Sequence, residues 1–230
     1  MGGRIIRKEP SNRLPFPLIG KIKVGQLSDN GYPQSIDWFR ADGKYAGLFH
    51  EAYGEKPSTI QIVFPNDNPE QCCKEYYEYR DKAGKLVASG DGETFKVWNG
   101  TAYQDYTTDE FPDIMDRIHA KYKSPTGWKI TLTLNFIIPL VRGVMGCWQL
   151  TTKGSASSIP SIRDAYDTIL ETNGKVAGVI FDLSVKFAKS QKPGQSNKFP
   201  VVSLVPNESR ENLEKISNAR KPIMLESGEN

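Results

Sequence analysis

Apolar and polar positions alternate most cleanly between Trp128 and Ile138, where Ile130, Leu132, Leu134 and Phe136 are separated by Thr131, Thr133 and Asn135. A period of two sends successive side chains to opposite faces, so this segment is predicted as a strand with one buried face. Residues 59–64, Thr-Ile-Gln-Ile-Val-Phe closed by Pro65, are β-rich and predict a partly buried strand. Further strands are expected at 20–24, 34–40, 146–152, 176–188 and 199–205. Between 74 and 99 the chain reads as a meander, with strands at 76–79, 86–88 and 95–98 and turns at 81–84 and 90–92.

Helical spacing emerges in four places. Tyr45, Leu48, Phe49 and Tyr53 share a face over 44–53, with Gly54 as the stop. Over 111–122, Ile114, Met115 and Ile118 line one side and Pro112 falls in the first turn. The third helix has Ser161 as its expected cap with Asp164 three residues on. Ile162, Ala165, Tyr166, Ile169 and Leu170 form its apolar face, and Asn173-Gly174 ends it. A polar final helix is expected over 207–220, followed by a tail.

Strands interrupted by scattered helices, without regular βαβ alternation, define an α+β class with mixed or antiparallel sheets and three or four helices. The basic, proline-containing residues 1–19 read as an extended arm. One α+β domain is expected over 20–206, and its length equally allows two packed subdomains at about 20–108 and 109–206. Strand-helix-strand segments around 44–53 and 161–172 permit a duplicated ferredoxin-like plan.

Composition adds few constraints: 230 residues, 38% hydrophobic and 25% charged, are ordinary for a folded protein. The longest apolar stretch, Ile130 to Val144, is broken by Pro139, Arg142 and Gly143, so no membrane-spanning helix is expected. Without a secretory signal, and with Cys72, Cys73 and Cys147 unable all to pair, the chain is expected in the cytoplasm with reduced thiols.

Charge distribution changes the picture more. Asp91, Glu93, Asp105, Asp109, Glu110, Asp113 and Asp116 outnumber Lys96, whereas no acid interrupts Arg117, Lys121, Lys123, Lys129, Arg142, Lys153 and Arg163. That basic run also holds Tyr122, Trp128, Phe136 and Trp148. Cations interleaved with aromatics motivate a single-stranded nucleic-acid-binding module as one functional reading, against a merely solvated face.

Catalytic and metal chemistry find little footing. His50 and His119 lack a second ligand at helical spacing, and Cys72-Cys73 lacks the gap that turns two sulfurs toward one ion. Asp67, Glu70, Asp91 and Glu93 could be imagined around Mg²⁺, but they occupy turn-rich segments where such residues serve local bonds. A metal-dependent hydrolase is therefore the least favoured reading, and neither cofactor, metal nor small-molecule substrate is expected. The loop Lys153, Gly154, Ser155, Ser157 and Ser158 precedes a helix and could cradle an anion, with plain capping as the alternative.

Several segments, taken in order, resemble the recombination directionality factors of phages that integrate with large serine recombinases. They are Gly20-Lys-Ile-Lys-Val-Gly25, Tyr53-Gly-Glu-Lys-Pro57 leading into Ile60-Gln-Ile-Val-Phe-Pro65, Gly146-Cys-Trp-Gln-Leu-Thr-Thr-Lys-Gly154 with Ser158-Ile159, and Val179-Ile-Phe-Asp-Leu-Ser-Val185. The chain departs from that pattern in residues 85–122, which lack the cysteines family members often have there and so argue against a zinc-stabilised insert. The resemblance implies a non-enzymatic accessory protein that binds a serine integrase, with direct DNA contact left open, and switches it from insertion to excision. Candidate contact residues are Trp148, Lys153, Gly154, Ser155 and Ser157, together with Lys186, Lys189, Lys192 and Lys198. For Trp148 a place in the core is the favoured alternative, and the lysines equally suit a solvated hairpin loop.

Overall fold

The computed structural model describes residues 13–190, 197–207 and 211–212. Its strands are β1 (Leu18–Leu27), β2 (Pro33–Asp42), β3 (Thr59–Val63), β4 (Cys73–Arg80), β5 (Leu86–Gly90), β6 (Thr94–Trp98), β7 (Tyr103–Thr107), β8 (Trp128–Phe136), β9 (Cys147–Thr152), β10 (Ile180–Lys189) and β11 (Lys198–Pro206). Its helices are α1 (Ala46–Tyr53), α2 (Pro69–Cys72), α3 (Ile114–Tyr122) and α4 (Ser158–Asn173). The α+β class with mixed and antiparallel sheets is as the sequence predicts.

The alternation in β8 organises the larger sheet, whose order is β2-β1-β9-β8-β4-β5-β6-β7. All its pairings are antiparallel except β1 with β9. Cross-strand partners continue the pattern: Leu134 pairs with Cys73 and Leu150, and Ile22 with Ala41 and Leu150. One face is therefore apolar across several strands, and the other carries Lys21, Gln149, Thr133 and Tyr76 toward solvent, as expected of a sheet covered on one side. Strands from 20–108 and from 109–206 are interleaved in it.

A second sheet, β11-β10-β3, contributes Ile60, Ile62, Phe181, Leu183, Val202 and Leu204 to the same core as Phe39, Leu132, Phe136 and Trp148. α1 adds Phe49, and α4 adds Ile159, Ile162, Tyr166 and Ile169. A smaller core lies further along the large sheet, where Ile114 and Ile118 of α3 pack on Tyr79, Val87, Ala88 and Phe95.

Two expectations are corrected here. The ferredoxin-like plan requires the strands flanking each helix to share a sheet, yet β2 and β3 around α1 lie in different sheets, as do β9 and β10 around α4. In addition, α4 starts at Ser158, three residues before the expected cap, since Pro160 fits a first helical turn. Gly174 in the left-handed region closes this helix (φ 70°), as Asn173-Gly174 suggests. β7 and the one-turn α2 carry no recognisable apolar period and were not expected. Most of the expected helix over 207–220 and most of the arm over 1–19 fall outside the described residues.

Trp148 joins the elements of the main core. It is 1% exposed, tilts against Phe49 at 6.0 Å between ring centroids, and lies over Gly20 on the neighbouring strand. A Cβ at position 20 would stand 2.7 Å from Cε3 of the indole and closer still to Cζ3. Gly20→Ala should therefore overpack this site and lower stability by about 1–3 kcal/mol, and Trp148→Ala should cost on the order of 3–5 kcal/mol through the cavity it leaves. Urea denaturation of the two variants checks both values.

Candidate functional site

Two of the solvent-facing concavities among the described residues differ most in chemistry. The first spans the polar face of the large sheet, about 570 Å³, between Lys21 on β1 and Asp105 on β7. In it lies Glu78, 3% exposed, held by Lys153 just past β9 and by a two-point contact from Arg80 (3.1 and 3.3 Å). Burial pushes the Glu78 carboxyl up, but the hydrogen bonds and charges of Arg80 and Lys153 outweigh it and hold the group below the usual glutamate range. Thr131 is buried on the same side of β8, and its hydroxyl has no hydrogen-bond partner.

This face is not a phosphate-binding surface by charge. The cations Lys21, Lys74, Arg80, Lys96 and Lys153 line it nearly in balance with the carboxylates Glu70, Glu78, Asp91 and Asp105. Several are paired: Lys74 with Glu70 (3.0 Å), Lys96 with Asp105 (3.6 Å), and Arg80 and Lys153 with Glu78. The basic run from Arg117 to Arg163 is also dispersed. Arg117 and Lys121 lie on α3, Lys129 and Lys153 reach the polar sheet face, and Arg163 on α4 pairs with Glu75 at 3.2 Å.

The second concavity, about 370 Å³, is an apolar trough between α3 and the β6–β7 hairpin. Val97, Tyr106, Phe111, Ile118 and Tyr122 line it, with Arg117 and Lys121 on its helical wall. The Arg117 guanidinium lies 5.1 Å from the centroid of Phe111, and the Lys121 ammonium 5.1 Å from that of Tyr122, distances suited to cation–π attraction. The spacing over 111–122 gives the helix but not the trough, because the other wall comes from the β6–β7 hairpin, whose strand β7 was not expected.

The expected contact residues are not gathered into one place. Trp148 is in the core, as its favoured reading has it, and so cannot meet a partner. Lys153 is turned toward Glu78. Gly154 accepts from the backbone N–H of Ser157 (3.1 Å) and Ile159 (3.0 Å), forming the turn into α4, while Ser155 is exposed and Ser157 half-buried. The Ser158 hydroxyl is buried and accepts from Val202 N–H of β11 (3.0 Å), so it faces the interior of the fold and not an anion held by the loop. Lys189 and Lys198 are exposed cross-strand partners at the end of the β10–β11 hairpin where the connecting loop leaves the strands, with Lys186 exposed three residues back. Lys192 lies outside the described residues.

The residues considered for metal have local work. Asp67 accepts from Val176 and Ala177 N–H (2.8 Å each), and Asp91 from Glu93 (2.9 Å) and Thr94 (2.7 Å). His119 shares a hydrogen bond with the Tyr79 hydroxyl (3.0 Å), and His50 Nδ1 is 3.2 Å from the Gly54 carbonyl. No group of three metal-ligating side chains is present among the described residues. No helix among them is long and apolar enough to cross a membrane.

The α+β scaffold thus presents to solvent a polar sheet face of mixed charge and an apolar trough walled by cations. The Gp3-like family model, described as recombination directionality factor-like, matches residues 19–207, and the chain belongs to this family. No curated protein and no solved structure was found to match the chain.

Two measurements probe this architecture. A carboxyl whose folded pKa is depressed contributes stability above its unfolded pKa and loses it as pH falls through the folded value. Stability should thus fall as pH drops below about 4, the ordinary glutamate range, and Glu78→Gln should flatten that fall in pH-dependent urea titrations. Burial pushes the thiols of Cys72 and Cys73 up to about 12 and that of Cys147 to about 11. All three should resist an aromatic disulfide reagent at pH 8 and react promptly once guanidinium unfolds the chain.

Proposed function

We propose that this protein is a phage or prophage accessory factor, without chemistry of its own, that binds a large serine integrase and shifts it toward excision. The observation that carries the reading is the family match, which runs from β1 through β11 and so covers the described fold rather than one motif. Solvent-facing troughs are compatible with recognition of a macromolecule.

Such a factor acts only through differential affinity, binding one arrangement of the integrase better than another. Turning a strongly disfavoured arrangement into a strongly favoured one takes on the order of 5 kcal/mol of preference, within reach of an interface of ordinary size. The nucleic-acid-binding alternative loses its main support, because the basic run is spread over α3, the polar sheet face and α4.

The purified protein should co-purify with the serine integrase of the same element and make it recombine the attachment-site pair that flanks the integrated element. An integrase that neither binds the protein nor changes its excision activity in its presence would overturn the proposal.

A further inference from the structure

We propose that the trough between α3 and the β6–β7 hairpin is a docking site for an acidic protein segment with an apolar anchor, the anchor entering the trough and carboxylates meeting Arg117 and Lys121. The identity of the partner rests on the function proposed above; the chemistry of the site does not.

Arg117 and Lys121 are four residues apart on α3 and therefore lie on one side of it, above the trough. Both are exposed, and neither is in an ion pair among the described residues, in contrast to Arg80, Lys153 and Arg163. Each instead lies over an aromatic ring of the trough wall, Arg117 over Phe111 and Lys121 over Tyr122. This holds their charged ends at the rim with donors free for a second molecule. Tyr106 and Phe111 meet edge to face at 5.4 Å and are only partly buried, leaving rigid aromatic surface uncovered. Aromatic rings next to arginine in a partly desolvated hollow are the composition of binding hot spots.

Charge complementarity selects the occupant. Unpaired cations on an apolar hollow call for carboxylates on an apolar segment. A nucleic-acid strand fits less well, since its regularly spaced phosphates would also pass the exposed acids Asp109, Glu110, Asp113 and Asp116 around the same helix. A short peptide can place two carboxylates over Arg117 and Lys121 and avoid those acids.

The first test uses a helical 18-residue peptide with leucines on one face flanked by glutamates, and a matched peptide with lysine at each glutamate. In NMR titration the glutamate peptide should shift the amides of Val97, Tyr106 and Arg117 and bind at least about tenfold more tightly than the lysine peptide. The Arg117→Glu/Lys121→Glu double variant, whose changes are exposed and should leave the circular dichroism spectrum intact, should reverse that preference. Equal binding of the two peptides, no binding, or preferential binding of a single-stranded oligonucleotide at this site would overturn the proposal. So would self-association abolished by the same variant, which would put a second copy in the trough.

The second test measures affinity for the full-length integrase. Wild-type binding weakened about tenfold or more in the double variant supports the trough as the docking site. Wild-type binding that the variant leaves unchanged overturns the trough while sparing the proposed function. Absence of wild-type binding overturns the proposed function, and the peptide titration alone then decides the trough.

Discussion

The one-sidedness of the eight-stranded sheet is the constraint on which the other features rest. In β8, Leu132, Leu134 and Phe136 face the core while Thr131, Thr133 and Asn135 take the other side, and β1, β4 and β9 are registered to match. A slip of one residue in β8 would bring threonines and an asparagine into a core of Phe39, Phe49 and Trp148 and push leucines toward water. Both helix-packed cores and both solvent-facing troughs inherit their positions from this register. Trp148 reinforces it, since its ring occupies space that only a glycine at position 20 leaves open.

Local periodicity made most of the elements legible. β8, β3, the 74–99 meander, α1 and α3 follow from spacing, and the end of α4 from a glycine in the left-handed region. Which sheet each strand joins could not be read this way. The segment 34–64 looks like one strand-helix-strand unit, but Phe39 N–H already bonds the Pro57 carbonyl (2.7 Å) while β3 runs off to pair with β10. Sheet membership is decided by contacts more than a hundred residues apart, such as Ile60 opposite Leu183, that a local pattern does not encode. β7 escaped notice for another reason: as an edge strand with mostly exposed side chains, Tyr-Gln-Asp-Tyr-Thr needs no apolar alternation.

Charge shows the same separation between sequence and space. The block without acids from Arg117 to Arg163 is continuous along the chain, yet its residues find carboxylates contributed by β4: Lys153 meets Glu78, and Arg163 meets Glu75. Glu78 and Glu75 alternate along one strand, so they serve opposite faces of the sheet, Glu78 the polar face and Glu75 the side where α4 packs. A run that suggested one basic surface is thus divided by the pleat of β4. Glu78, the most buried carboxylate of the polar face, was missed by sequence reading because it sits in an unremarkable meander strand with no motif around it.

What remains uncompensated after this pairing is more informative than the net charge of +3. Desolvating a cation is costly unless a partner is supplied, so paired charges such as Arg80 and Lys153 already have their electrostatic work inside the molecule. Arg117 and Lys121 have only aromatic faces beneath them, which stabilise a cation without satisfying its hydrogen-bond donors. An incoming carboxylate would therefore gain the full charge-assisted bond without displacing an existing ion pair. At Glu78 the polar sheet face offers less, because an anion arriving there must compete with that carboxylate for Arg80 and Lys153. For the proposed role of biasing an integrase, the surface with cations to spare is the better place to look for the contact.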